Sequence, residues 1–262
     1  MRANRLMPAM LFAISVVSNV EAAVVLTGTI RDFCAPDIAS TCTRLTDFEG
    51  AVPGVVTGMV GSTLSGGLPI AGASIVTGAS SATNFAKWYT DSPGFNVSTP
   101  TSLTLTEGPA GTFTYSSSAF FPIDSVLYGN QGRSHNYHFT MQLKGSLSFD
   151  DPTTGADKTF SFTGDDDLWV FVGGKLVLDL GGVHGAASAS FSEETLKALG
   201  LAASTAYDLD IFFAERHTTD SNFNITTTLA ITAPPSGVPE PGSLALFGLG
   251  LVGLAGFKRR TR

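Results

Sequence analysis

Residues 164–185 read GDDDLWVFVGGKLVLDLGGVHG. Two apolar runs, Leu168 to Val172 and Leu176 to Leu180, flank Gly173-Gly174, a dipeptide that supplies positive φ at both centres of a two-residue turn; the spacing predicts a β-hairpin. Counting back from that turn pairs Val172 with Lys175, Val170 with Val177 and Leu168 with Asp179. In this register Asp179 reaches the open end of the hairpin beside Asp165, Asp166 and Asp167. Two such charges ~6 Å apart repel by roughly 3 kcal/mol at an effective dielectric of about 20, which demands protonation, splaying into water or a cation. Oxygen ligands with no neighbouring cysteine point to Ca²⁺ ahead of zinc. Two other readings stand beside the cation site: a solvated turn whose carboxylates point apart, and a carboxylate pair of raised pKa doing acid–base work. Leu168, Val170 and Val172 alternate with Trp169 and Phe171, apolar on both faces, so this strand is expected to be central and buried on both sides.

The segments around the hairpin read the same way. Val24 to Ile30 suggests a first strand. Leu103 with Leu105, Phe113 with Tyr115, Tyr137 to Leu143, Phe160 with Phe162, Tyr207 to Phe213 and Phe223 to Ile231 all alternate with polar residues. Residues 50–81 give only loop with one or two short strands. Phe85, Trp88 and Tyr89, at i, i+3 and i+4, fit a short helix whose aromatic face packs in a core. A second helix is expected after Ser192, with Glu193 and Glu194 in its first turn and Gly200 beyond its end. The predicted fold is therefore all-β, a sandwich or Greek-key barrel with one or two short helices. His135 and His138, three apart on a strand, face opposite ways and read as structural histidines. His184 and His217 fall in loops beside the aspartates and, with Trp169, are candidates to line a site. No G-x-S-x-G, H-E-x-x-H or phosphate-cradling loop occurs.

Only 14% of the 262 residues are charged. Between residues 23 and 237 there are nine Lys or Arg against 20 Asp or Glu, a net charge of −11, once Arg2, Arg5, Lys258, Arg259, Arg260 and Arg262 and the acids Glu21 and Glu240 are set aside. That balance disfavours nucleic acid and anionic membrane surfaces as partners. Arg2 and Arg5 precede an apolar run from Met7 to Val17 and small residues at Ala22-Ala23, the pattern of a signal peptide (residues 1–22) removed by signal peptidase. In the oxidising compartment this implies, Cys34 and Cys42, the chain's only two cysteines, are expected to form a disulfide. After a body at 23–232 and a Pro-rich linker at 233–241, residues 242–262 hold an apolar run from Leu244 to Phe257 and a basic end. Those 14 residues span only ~21 Å as a helix, and the basic end stays cytoplasmic by the positive-inside rule, which puts the body across the membrane.

This tail, with Val238-Pro239-Glu240-Pro241 ahead of a Gly- and Leu-rich helix, is similar to the PEP-CTERM sorting signal of Gram-negative bacteria. The resemblance implies recognition by an exosortase and cleavage near Pro239, Glu240 and Pro241. Before that step the C-terminal helix would be a transient inner-membrane anchor, the body's one contact with membrane; afterwards the protein would reach the cell surface or the extracellular polymer matrix. The body from Gly28 to Ile231 resembles the fibro-slime domain, on RDF at Arg31, DFEG at Asp47, KWY at Lys87, FFP at Phe120, HNYHFT at His135, FTGDDDLWVFV at Phe162, KLVLDLGGVHG at Lys175 and FFAERHTTDSNF at Phe212. It implies a protective-antigen-like β-sandwich, whose sugar-binding members hold Ca²⁺ on two adjacent aspartates. Here that pair would be Asp165-Asp166 or Asp166-Asp167, with Asn222 or Asp220 as a further ligand. The expected function is Ca²⁺-dependent binding of an extracellular polysaccharide or other glycan, or adhesion, without catalysis. A structural matrix protein with purely structural Ca²⁺ is the alternative, and a glycan-acting enzyme, which needs a second carboxylate across a cleft, is the third reading.

Overall fold

Period-two alternation of apolar and polar side chains turns most of this chain into strand, because each such segment buries one face only when it pairs. The structure, a computed structural model, describes residues 23–35, 37, 42–45, 47–49, 53–75, 81–151 and 157–234. The signal peptide, the motif residues Pro239, Glu240 and Pro241 and the hydrophobic C-terminal helix all lie outside the described residues. In chain order the first strands are β1 (Ala23–Phe33), β2 (Val60–Ser65) and β3 (Leu68–Ala71), followed by helix α1 (Ala82–Phe85). Next come β4 (Asn96–Glu107), β5 (Phe113–Ser117), β6 (Phe139–Ser148), β7 (Thr159–Asp165), β8 (Asp167–Val172), β9 (Lys175–Leu180) and β10 (Ala187–Ser192). Helix α2 (Glu193–Ala198) leads into β11 (Tyr207–Glu215), β12 (Asn222–Thr227) and β13 (Ala230–Thr232). Helix α2 starts after Ser192 as expected, where the Thr195 hydroxyl accepts from the Ser192 N–H. Helix α1, capped by the Ser81 hydroxyl accepting from the Asn84 N–H, is shorter than expected: it ends at Phe85, and Trp88 and Tyr89 follow in the turn and bend beyond it.

The strands form one sheet in the order β10-β7-β12-β5-β4-β1-β6-β11-β8-β9-β2-β3, with β13 on β6. Every ladder between named strands is antiparallel. The sheet curls until β10 lies beside β9, and an apolar interior fills the space between its walls. Leu26, Leu103, Leu143, Phe162, Val170, Ile211 and Phe223 all sit there, each with under 5% of its surface exposed. A second, aromatic core covers the outside of β11 and β8. Trp169, Phe171, Phe212 and Ala214 face it from the strands, while Phe33, Phe48, Phe85, Trp88 and Tyr89 close over them. Strand β8 is thus buried on both faces, as its composition required.

The hairpin turns at Gly173-Gly174, with φ of 56° and 73°, and Val172 pairs with Lys175. The register then departs from the simple count. A bulge between Val170 and Phe171 sets Val170 opposite Leu178, Trp169 opposite Asp179 and Leu168 opposite Leu180. One extra residue moves Asp179 to the outer face of the sheet, away from the three aspartates.

The pairings also sort the strand ends. The last residues of β1, β5, β7, β9 and β11 meet the first residues of β4, β6, β8, β10 and β12 at one rim, through pairs such as Phe33–Asn96, Glu215–Phe139 and Asn222–Asp165. At the opposite end Ala23 lies beside Thr106, and Thr232 beside Ser146. Cys34 and Cys42, just past β1 on the rim, are disulfide-bonded with Cα atoms 6.1 Å apart.

Candidate functional site

Strands β7 and β8 are not neighbours: β7 pairs with β10 and β12, β8 with β11 and β9. The chain crosses from one wall of the curled sheet to the other within the run Asp165-Asp166-Asp167, so adjacent aspartates meet different surroundings. The Asp165–Asp166 peptide is cis.

Asp165 ends β7 opposite Asn222. Its carboxylate accepts from the Asn222 backbone N–H, and from the Asn222 side-chain amide at 3.0 Å. Asp166 accepts from the N–H groups of His184 at 3.3 Å and Arg216 at 3.1 Å. Burial, reinforced by the neighbouring charge of Asp167, lifts Asp166 to a pKa of about 7. Asp167 is fully buried and engaged on both oxygens. Arg216 Nε donates to Oδ2 at 2.5 Å and Nη2 to Oδ1 at 3.1 Å, while the Gly182 N–H reaches Oδ1 at 2.7 Å. Arg216 is itself 0% exposed. It donates from Nη1 to the Phe48 carbonyl at 3.0 Å and lies over the Trp88 ring at 5.1 Å.

A cavity of about 210 Å³ opens at this rim. Asp165, Asp166, His184, His217 and Asp220 line it, with Val183, Gly185 and Thr219 completing the wall. His184 Nε2 and His217 Nδ1 are buried with no hydrogen-bond partner. Behind Asp166 sits Glu215, fully buried, whose Oε2 is likewise unpartnered and whose carboxyl is pushed well above the usual range by burial and then by the charge of Asp166. Among the described residues no group of three or more His, Cys, Asp or Glu is disposed to hold a metal by itself. A cation beside Asp165 and Asp166 would therefore complete its shell with amide, hydroxyl, carbonyl, water or ligand oxygens, a donor set that suits Ca²⁺.

The four carboxylates of the simple register do not come together. Asp179 accepts from Trp169 Nε1 at 3.0 Å and from the Gly58 N–H at 2.8 Å, on the outer face. Trp169 is 0% exposed inside the aromatic core and cannot touch a ligand. Asp167 is consumed by Arg216, which leaves Asp165-Asp166 as the pair facing the cavity. Asn222 bears on that pair, and His184, His217 and Asp220 stand in the wall. The two remaining histidines pair elsewhere: His135 with Asp124 at 2.6 Å and His138 with Glu49 at 3.3 Å. Sequence reasoning missed Arg216 and Glu215. Their signal was an Arg–Glu pair directly continuing the apolar run of β11, where alternation alone offers no reason for charge.

Residues 123–243 match the PA14 domain, and residues 237–260 match the PEP-CTERM protein-sorting motif. Protein psiQ of Dictyostelium discoideum is 35% identical over 211 residues, 74% of this chain and 21% of that protein. Protein psiD of the same organism is 39% identical over 156 residues, 56% of this chain and 29% of that protein. The chain thus spans between a fifth and a third of the length of these curated relatives. The PA14 domain of the MpAFP antifreeze protein aligns over 86% of this chain and 100% of its own, at 11% identity and a TM-score of 0.36. The molecule is a PA14-type all-β protein. More particularly, it is a fibro-slime-like chain with a PEP-CTERM tail, the motif that marks exported surface proteins of Gram-negative bacteria.

Proposed function

We propose that this is a surface- or matrix-associated binding protein that holds Ca²⁺ at Asp165 and Asp166 and, through the cation, binds the hydroxyls of an extracellular glycan without catalysis. The observation that carries the reading is the pairing of two adjacent carboxylates on an open cavity with unpartnered buried nitrogens at His184 and His217. Two ionised carboxylates ~6 Å apart repel by about 3 kcal/mol at an effective dielectric near 20, and a divalent ion between them offsets that cost. Unpartnered buried donors and acceptors are costly until a ligand meets them, and a sugar offers hydroxyls able to do either. Asp220 and Asn222 are the further oxygen ligands nearest the pair. The PA14 match supports a glycan as the ligand class, and the sorting motif supports exosortase processing after export.

Two measurements test it. Saturating Ca²⁺, at a hundred times Kd, is expected to stabilise the domain by about 2.7 kcal/mol over EDTA, and Asp166→Asn to abolish most of that gain. On a glycan array, binding is expected with Ca²⁺ and not with chelator. An identical melting midpoint in Ca²⁺ and EDTA overturns the cation, and array binding indifferent to chelator overturns its role in recognition.

A further inference from the structure

The rim carries a second feature that the cation site does not use. Phe120 donates its N–H to the Ser221 carbonyl at 2.9 Å, so the chain just past β5 stays beside the chain just ahead of β12 where the ladder ends at Ser117–Phe223. The next residues outward on the two chains are Phe121 and Asp220, and Asp220 lines the cavity. Phe121 stacks flat on His135, with ring centroids 3.9 Å apart and planes within 7°. Tyr137 meets both rings edge-on, at 5.1 and 5.9 Å, and its hydroxyl is tied to Ser134. Asp124 fixes the imidazole through Nδ1 at 2.6 Å while its other oxygen accepts from the Asn136 N–H. His135 is therefore held in place on one face and one edge, yet 39% of its side chain is exposed. With Phe121 on one face and Asp124 on the Nδ1 edge, what is left to solvent is the opposite face and the remaining edge. A buried, merely structural histidine, such as His138 at 1%, has no such open face.

Resting on the glycan reading above, we propose that the Phe121-backed face of His135 is a second sugar subsite, which stacks on the C–H face of the pyranose next to the one held at Asp165 and Asp166. A π face is negative and favours the polarised C–H bonds of a sugar ring. The platform is rigid before ligand arrives, so little ordering cost is added on binding. The acidic cavity beside it repels carboxylated sugars, which points to a neutral hexopyranose at this position. A glycan of two or more residues would then bind more tightly than its terminal monosaccharide alone.

The experiment compares the terminal monosaccharide with the di- and trisaccharide of the strongest neutral glycan on a printed array, in Ca²⁺. His135→Ala is expected to weaken the oligosaccharides up to about tenfold, the upper end of what an aromatic ring contact contributes, and to leave the monosaccharide and the Ca²⁺-induced melting shift unchanged. His135→Phe, which keeps a ring but loses the bond to Asp124, is expected to restore oligosaccharide binding. Equal losses for monosaccharide and oligosaccharide, no loss at all, or failure of His135→Phe to restore binding each overturn the subsite while leaving the cation site standing. Failure of the cation reading appears separately, as glycan binding that survives Asp166→Asn.

Discussion

The interior between the walls of the sheet and the aromatic layer outside β8 and β11 share strands but are built on different rules. The interior is filled mainly by apolar strand residues of one parity, which the ladder itself positions, with Phe120, Ile123, Phe149, Leu196, Leu201 and Leu229 added from helix α2 and the loops. The outer layer takes Trp169, Phe171, Phe212 and Ala214 from β8 and β11, Phe33 and Val60 from the ends of β1 and β2, and the rest from helix α1 and the loops between β1 and β4. It also contains a charge: Arg216 runs through it from Asp167 to the Phe48 carbonyl, under Trp88. The first layer stabilises; the second also spends an ion pair to keep Asp167 out of the site, and thereby decides which two aspartates remain.

That contrast can be broken most severely at Arg216. Arg216→Met strands a buried Asp167 and is expected to cost about 3 to 5 kcal/mol in denaturant unfolding, with loss of the Ca²⁺-induced shift. Adding Asp167→Leu should recover most of the stability, because an apolar pair of similar volume often replaces a buried ion pair at no cost. If the double variant is as unstable as the single one, the ion pair is not the support argued here. Leu143→Ala, in the interior, should cost a comparable 2 to 5 kcal/mol by the usual range of about that size for core truncations, but leave the Ca²⁺ shift intact. Loss of that shift would show that the two layers are not separable.

A smaller effect is expected from the disulfide. Replacing both Cys34 and Cys42 by Ser should lower stability by about 2 to 3 kcal/mol, the entropy of so short a loop, measured by melting with and without reductant. Smaller again, per pH unit, is a pH effect at Asp32, fully buried at the end of β1. Burial raises its pKa from 3.8 to about 7, against the N–H of Tyr128 that Oδ2 accepts at 2.8 Å. Between about pH 4 and pH 7 the folded chain holds a proton that the unfolded chain has released, so stability falls as pH rises across that window. Asp32→Asn should remove up to about 1.4 kcal/mol per pH unit of that slope. Unchanged slopes would mean that Asp32 is ionised in the fold.

The parity-built layer was legible in the sequence and the other was not. Leu168, Val170 and Val172 announce themselves by alternation, and Gly173-Gly174 announces the turn. Nothing local announces the bulge at Val170–Phe171, because it is fixed by packing on both faces, yet it decides where Asp179 goes. The fate of Asp167 is likewise set by a residue 49 positions away. Phe85, Trp88 and Tyr89 could be assigned to a core, but their partners Phe48 and Phe212 lie far off in the chain. The cavity histidines were found because they sit in loops beside the aspartates; Glu215 was missed because it continues a strand.

One arrangement from the fold gives the molecule a direction. The first and last strand residues, Ala23 and Thr232, leave from the end opposite the aspartates, and the sorting motif begins at residue 237. Whatever grips that tail grips the domain by its foot. Strands such as β11, nine residues long, then stand between grip and cavity like a post of about 30 Å. The aspartates and His135 stand at its head, at the end of the domain farthest from the tail.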